Sequence, residues 1–259
     1  LAAILGPKFN LQLLLSQRNG GFAAGNNLGL EQLKGLGATY AWLLNPDTTV
    51  HPRALSALLA EAAPRRVCGS KVLYALEQSG SEEEGAKLWS AGGTLDRKQL
   101  RVGMRGLGER DSGQYESLER CDYIPGCSMF VPLAVVDQVG KMPERFFMYF
   151  EETEWCERMT RAGIELLYVP QSVVFHHFAD EKMGRPFTVY YYNRNERLFW
   201  FRWGSVRQRI ALIGRTLFRS IPQALRAHAA APDLEHRSIF RAQLLAYRDF
   251  LLARSGKLR

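Results

Sequence analysis

The sequence predicts an α/β fold with a helical C-terminal extension, and three observations carry that expectation. Short apolar runs alternate with amphipathic stretches through the first half of the 259 residues, the pattern of a sheet with helices on its faces. With 46% hydrophobic and 23% charged residues, the chain can bury a full core without disulfides or a partner. Positive charge is segregated: residues 185–259 hold 15 Lys+Arg against 4 Asp+Glu, while residues 1–184 hold 19 against 22. A domain over 1–184 and a basic extension over 185–259 follow.

The elements read in order as follows. Leu11–Ser16 reads as a buried strand, Gly20–Asn27 as a glycine-rich turn, and Leu28–Lys34 as a helix. Thr39–Leu44 is a second apolar strand, ending in Asn45-Pro46-Asp47. Pro52 suits the first position of a helix running to about Ala63, with His51 or a neighbour as its cap, and Val67–Tyr74 is the next strand. From Leu76 to Glu119 the chain is rich in Gly, Glu, Ser and Arg, and only Leu88–Ala91 and Thr94–Leu95 read as ordered within a long loop or small hairpin insertion. Then come a strand over Tyr123–Val131 broken by Pro125-Gly126, a short helix over Pro132–Val139 and the aromatic run Phe146–Phe150. A helix over Glu151–Ala162, closed by Gly163, and a strand over Leu166–Phe175 complete the series. In the extension, Ile210, Ile213, Leu217, Ile221 and Leu225 recur at helical spacing, with Arg207, Arg209, Arg215, Arg219 and Arg226 between them. That is the pattern of a basic amphipathic helix lying on an anionic membrane surface, with a helix packing its apolar stripe on the domain beside it as the alternative.

Some classes are disfavoured. Cys68, Cys121, Cys127 and Cys156 form no C-x-x-C pair and no zinc-like spacing, which points to a reducing, cytoplasmic setting. No apolar run reaches the roughly 18 residues of a membrane span. Nucleic acid is not an expected partner, because the positive charge lies off the main fold.

Three polar groups stand where apolar strands run out, the place where open α/β sheets bind ligands. Asp47 is the first, and it suits a turn as well as a ligand site. The pair Glu151-Glu152, with Glu154 following, opens a helix whose dipole favours carboxylates. The aromatic run before it would hold them against apolar surface and raise their proton affinity toward that of a general base. His176-His177 follows the apolar Val173-Val174-Phe175, and an imidazole and a carboxylate from two strand ends can together hold one divalent cation against a diphosphate.

The sequence resembles glycosyltransferase family 2 through motifs occurring in that family's order. They are Arg18-Asn19-Gly20-Gly21-Phe22-Ala23-Ala24-Gly25-Asn26-Asn27, Leu43-Leu44-Asn45-Pro46-Asp47, Gly126-Cys127-Ser128-Met129-Phe130-Val131, Phe150-Glu151-Glu152-Thr153-Glu154-Trp155-Cys156-Glu157-Arg158, and Tyr168-Val169-Pro170 through His176-His177. Within the family the set is similar to a bacterial rhamnosyltransferase-like branch, which also carries a segment such as Tyr190-Tyr191-Tyr192-Asn193-Arg194-Asn195. The resemblance covers about residues 11–203. It implies a Rossmann-like GT-A fold, a dTDP- or UDP-sugar donor with rhamnose favoured, inversion at the anomeric carbon, and Mg²⁺ or Mn²⁺. By position it implies Glu152 as base with Glu151 as its partner, Asp47 and His176 as metal ligands, and Asn26, Asn27, Asn45 and Asp47 toward the donor. Gly126, Cys127 and Glu154 fall on the acceptor side, where a saccharide or lipid-linked saccharide would sit, and the base remains open among Glu151, Glu152 and Glu154. Asn45 stands where many relatives keep Asp, and Glu-Glu replaces the usual Glu-Asp. The setting implied is cell-surface polysaccharide synthesis, peripheral on the inner face of the cytoplasmic membrane. The family's domain opens with a strand, a helix and a second strand, for which Leu1–Asn10 is too short, so the chain is expected to lack its beginning. Nucleotidyl transfer, or a membrane-associated binding module on an inactive transferase fold, are the alternatives.

Overall fold

The computed structural model describes residues 11–75, 86–177 and 184–258. Its centre is a mixed sheet built on one long parallel pair, β3 (Arg66–Tyr74) and β9 (Glu165–His176), in register from Arg66 opposite Glu165 to Tyr74 opposite His176. Seven successive residues of β3 are buried, all of them apolar or small except Lys71, as a strand covered on both faces requires. β8 (Ser128–Pro132) runs antiparallel to β3, and β1 (Tyr40–Leu44) runs antiparallel to β8. On the other side the short β2 (Thr48–Val50) runs antiparallel to β9, giving the order β1-β8-β3-β9-β2. β4 (Leu88–Ser90) and β7 (Glu119–Arg120) add pairings to β3 and β9. A separate hairpin, β5 (Gly93–Asp96) with β6 (Arg101–Met104), is the insertion anticipated before Glu119, while residues 76–85 of that stretch lie outside the described residues.

The helices α1 (Phe22–Gly35), α2 (Ala54–Ala60), α3 (Leu133–Val139) and α4 (Glu151–Arg161) accompany the sheet. Four expectations need correction. Leu11–Ser16 forms no strand: Leu13 and Leu15 are 81% and 82% exposed, since an apolar run becomes a strand only where a neighbour offers backbone partners, and among the described residues β1 pairs with β8 alone. The glycine-rich stretch is helical from Phe22 onward, because glycine at 25 and 29 weakens a helix without forbidding it. The helix after Pro52 starts at Ala54, with Pro52 and Arg53 in the preceding turn. Tyr123–Cys127 is not strand; regular pairing begins at Ser128, beyond Pro125 and its missing N–H.

Helix α4 illustrates how sequence sets an element. Its first turn holds Glu151, Glu152 and Glu154 and its last turn Arg158 and Arg161, each sign at the end the dipole favours. Trp155, Cys156 and Met159 bury its inner face, and Gly163 closes it at φ 74°.

The C-terminal helices α5 (Pro186–Trp203), α6 (Val206–Arg215), α7 (Ile221–Ala229) and α8 (Leu234–Leu251) share this core. Phe199, Trp200, Leu212 and Phe250 belong to the same cluster as Val67, Met129 and Trp155, so packing runs across the boundary that charge draws at 184/185. The single amphipathic helix read over 207–225 is two helices joined by a π-turn at Thr216–Ser220. Leu212, Thr216 and Ala224 pack inward, while Ile210, Leu217 and Leu225 of the anticipated stripe face solvent.

Helix α5 also fixes the loop that leads into α4. Phe147, Tyr149 and Phe150 adopt φ of 68°, 66° and 73°, a conformation costing about 1–3 kcal/mol per non-glycine residue. It persists because the Asn195 amide nitrogen lies 2.8–2.9 Å from the carbonyls of Phe146, Met148 and Tyr149, and Arg194 Nη2 donates to the Phe146 carbonyl at 3.0 Å. Arg194 in turn donates to the Gly256 carbonyl at 2.8 Å, tying the chain's last turn to the same loop. Asn195→Ala should lower unfolding free energy by about 2–4 kcal/mol in urea titration, because buried carbonyls lose their donor.

Candidate active site

Strand register brings the first two expected groups together. Thr48 pairs with His176 across β2 and β9, and the His177 N–H donates to the Asp47 carbonyl at 2.9 Å. The Asp47 carboxylate therefore lies beside the His176 ring, Nε2 to Oδ1 3.2 Å. His176 is buried, with the Trp89 ring edge-on at 4.8 Å, while Asp47 is partly exposed. The pair is open on the Asp47 side. Among the described residues no group of three His, Cys, Asp or Glu could enclose a metal ion. One carboxylate and one imidazole suit a hard divalent cation that takes its remaining oxygens from water and substrate phosphates.

The second half of the site begins at Gly126 and Cys127. The Asn45 N–H donates to the Cys127 carbonyl at 3.2 Å, which joins the end of β1 to the turn before β8. A Cβ on Gly126 would stand 2.9 Å from the Phe22 ring and 3.7 Å from the Glu152 Cβ, so this glycine lets β8's entry, α1 and α4 converge. Burial first, then the Glu152 and Asp47 carboxylates, push the Cys127 thiol upward, so both carboxylates act on the same buried sulfur. Gly21 serves the same convergence from α1. At φ 87° its Cβ would stand 1.9 Å from the Phe147 carbonyl oxygen, which accepts the Phe22 N–H at 2.9 Å.

The carboxylates of α4 divide into two kinds. Glu154 is buried among Arg145, Arg158 and Arg202 at 2.9–3.1 Å, and Glu157 is held by Arg97 and Arg161. Glu151 and Glu152 have no cationic partner among the described residues. Burial pushes Glu151 well above the ordinary carboxyl range, with the Glu152 charge adding to it, and its Oε2 has no hydrogen-bond partner. Burial also raises Glu152, offset in part by the N–H groups of Glu152 and Thr153 at the helix start. Glu152 is the more accessible of the two and sits in electrostatic reach of Tyr123 and Tyr192. A carboxylate of raised proton affinity, with no cationic partner among the described residues, can take a proton from a bound hydroxyl.

The remaining expected residues fall elsewhere. Asn27 is buried in α1 and exchanges two bonds with the Met142 backbone, at 2.9 and 3.0 Å, while also donating to Glu144. Asn26 donates back to the Phe22 carbonyl at 2.9 Å. Glu154 lies within its arginine cluster, turned from Glu152. Trp89, Tyr192 and Asn195 belong to the site's frame and carried no role in the sequence. Only the Tyr-Tyr-Tyr-Asn-Arg-Asn run signalled the last two.

No protein-family model matches the chain. It is 27% identical over 155 residues to the low-salt glycan biosynthesis hexosyltransferase Agl10 of Haloferax volcanii, covering 57% of this chain and 46% of that protein. It is 37% identical over 57 residues to the N-acetylglucosaminyl-diphospho-decaprenol L-rhamnosyltransferase of Mycobacterium tuberculosis, covering 22% and 19%. The chain thus spans less than half the length of these curated relatives. Among solved structures, GalNAc-T7 with UDP, GalNAc and Mn²⁺ superposes with a TM-score of 0.53 at 15% identity, over 92% of this chain and 44% of that one. The fold is therefore of the GT-A type, with helices at the C-terminus. In sequence the chain is similar to these hexosyl- and rhamnosyltransferases over the matched segments, in line with the resemblance to glycosyltransferase family 2.

The raised Glu151 carboxyl makes a signed prediction. Stability that depends on its neutral form is present below the ordinary glutamate pKa and is lost as pH rises through the folded value. Wild-type protein should lose stability relative to Glu151→Gln as pH goes from 5 to 8, measured by urea unfolding at each pH.

Proposed function

We propose that the chain transfers a sugar from a nucleotide diphosphate to a saccharide or lipid-linked acceptor, with inversion. The observation that carries this is the convergence of two unlike groups on Gly126-Cys127: the Asp47–His176 pair, suited to a cation, and the Glu151–Glu152 carboxylates, which lack a cationic partner among the described residues. Inversion needs one in-line displacement, in which the acceptor hydroxyl loses its proton as it attacks opposite the leaving diphosphate. Glu152 takes that proton. Glu151, buried behind it, keeps its proton more readily, which limits like-charge repulsion when Glu152 is ionised. Asp47 and His176 would hold Mg²⁺ or Mn²⁺, which when bound supplies positive charge against the departing diphosphate. Gly126 and Cys127 form the floor between the two groups, and the Asn45 amide lies at the donor edge beside them.

The Mn²⁺ and UDP named for GalNAc-T7 support a divalent cation and a nucleoside diphosphate donor. The Mycobacterium relative's name supports rhamnose and a lipid-linked acceptor; a dTDP or UDP carrier and a place in cell-surface polysaccharide synthesis complete the reading. Membrane contact has its own support. No helix among the described residues is long and apolar enough to span a bilayer. Instead Val206, Ile210, Phe218 and Leu225 leave an apolar ridge exposed on α6, the π-turn and α7, flanked by exposed Arg207, Arg219 and Arg226. An apolar ridge edged by arginines suits the inner face of the cytoplasmic membrane, where lipids are anionic.

Three measurements follow. Glu152→Gln should cut turnover by about 10²-fold or more with donor affinity by calorimetry little changed; near-normal turnover would move the base elsewhere. Chelation should abolish activity and Mg²⁺ or Mn²⁺ restore it, and Asp47→Ala and His176→Ala should each weaken metal-dependent donor binding; full activity in excess chelator would remove the metal from the scheme. Flotation with phosphatidylglycerol vesicles should be salt-sensitive and fall on Phe218→Glu or on Arg207→Gln with Arg219→Gln, whereas equal flotation with neutral vesicles would count against surface attachment.

A further inference from the structure

Behind the aromatic loop lies a cleft of about 540 Å³ that the donor and acceptor-hydroxyl chemistry does not use. Its walls are Phe147 of the loop, Phe187 and Tyr191 of α5, and Leu245 of α8. Phe147 stacks on Tyr191 at 5.1 Å, and Phe187 meets Tyr191 at 4.8 Å. The tyrosine hydroxyls are turned to other tasks: Tyr190 donates to Asp249 at 2.7 Å and Tyr191 accepts the Leu258 N–H at 2.8 Å. Both rings therefore offer only apolar surface to the cleft.

The mouth has the opposite character. Arg241 of α8 and Lys257 of the tail are exposed there, and Lys257 Nζ stands 5.8 Å from the Phe147 ring. Neither cation pairs with a carboxylate among the described residues, and Asp249 of the same helix is held by Arg248 and Arg254. An apolar aromatic slot with two uncommitted cations at its mouth complements one ligand chemistry, a hydrocarbon chain ending in a phosphate. A volume in the range of a single small ligand, about 300–1,000 Å³, suits one chain rather than the two of a bilayer phospholipid. Met148, which also lines the cleft, is three residues from Glu151, and Asn19 lines it from the turn that precedes α1. A chain seated here would touch both segments that converge on the candidate active site.

We propose that this cleft binds the lipid-phosphate end of a single-chain, prenyl-type acceptor, with the phosphate on Arg241 and Lys257 and the chain on Phe147, Phe187 and Tyr191. The assignment of the lipid to the acceptor rests on the glycosyl-transfer reading; the binding chemistry does not. The probe is farnesyl phosphate, titrated calorimetrically into the protein beside inorganic phosphate, farnesol and phosphatidylglycerol vesicles. Farnesyl phosphate should bind at least about tenfold more tightly than inorganic phosphate or farnesol, and Arg241→Gln with Lys257→Gln should weaken it by about tenfold or more, as loss of charged hydrogen bonds predicts. Phe187→Asp, at a half-exposed position, should weaken it similarly while leaving nucleotide-sugar binding in the same samples unchanged. Three results overturn the proposal: farnesol binding as well as farnesyl phosphate, the double variant retaining wild-type affinity, or the vesicles displacing farnesyl phosphate from the cleft. Farnesyl phosphate binding without any sugar transfer would instead sink the transferase reading and leave the cleft's ligand chemistry standing. Transfer to a lipid-linked acceptor unaffected by these substitutions would do the reverse.

Discussion

Everything at the candidate site depends on one buried interaction, the grip of Arg194 and Asn195 on the carbonyls between Phe146 and Tyr149. The loop is intrinsically unfavourable, with three aromatic residues at positive φ, and it could not hold its shape by local preference. Two adjacent side chains from α5 supply the donors. The Arg194 guanidinium is buried without a direct carboxylate partner among the described residues; carbonyl oxygens and the faces of Tyr190 and Tyr191, at 5.2 and 5.0 Å, surround it. Such a cation is expensive to bury, so its retention marks a demand for geometry over stability. The start of α4, and with it Glu151 and Glu152, sits where this grip puts it.

The site's electrostatics come from a division of labour along one helix. Glu154 and Glu157 are neutralised by arginines and carry the packing of α4 against its neighbours, whereas Glu151 and Glu152 have no counter-charge among the described residues. Two adjacent carboxylates in apolar surroundings repel one another and resist ionisation, which costs folding energy. Across the turn at Cys127, Asp47 and His176 depend on nothing more than register: an antiparallel pairing of Thr48 with His176 sets the two side chains in contact. One group is thus built by strained packing and the other by regular sheet geometry.

That difference explains what could be read from sequence. Strand ends are legible, because continuous apolar runs such as Val67–Tyr74 and Leu166–Phe175 announce buried strands, and the polar residues just past them, Asp47 and His176, stand out. The start of α4 was legible too, since carboxylates after an aromatic run advertise a helix dipole. What pattern could not supply was pairing. Leu11–Ser16 has the composition of a strand and no strand partner among the described residues, and the helix from Phe22 hides under glycines that weaken helical propensity. Nor does composition reveal which carboxylates are paired. Glu154 has an arginine at i+4, Arg158, where Glu152 has Cys156, but the further partners Arg145 and Arg202 lie off the helix and leave no local trace. Asn195, the residue on which the loop depends, acts on backbone carbonyls almost fifty positions earlier, a relation no local motif encodes.

The bond from Arg194 to the Gly256 carbonyl, with the Gly256 N–H returned to Arg145 at 2.5 Å, gives the tail a part in this geometry. A chain is made from its N-terminus, so the sheet, the Asp47–His176 pair and α4 all leave the ribosome before the segment that fastens the aromatic loop. Until residues 194–195 and then 256 arrive, the loop is free to relax from its left-handed conformation and the two carboxylates have no fixed place. Ordering of the loop therefore waits on α5 and on the segment around Gly256, and the sheet can form before the start of α4 has its final geometry.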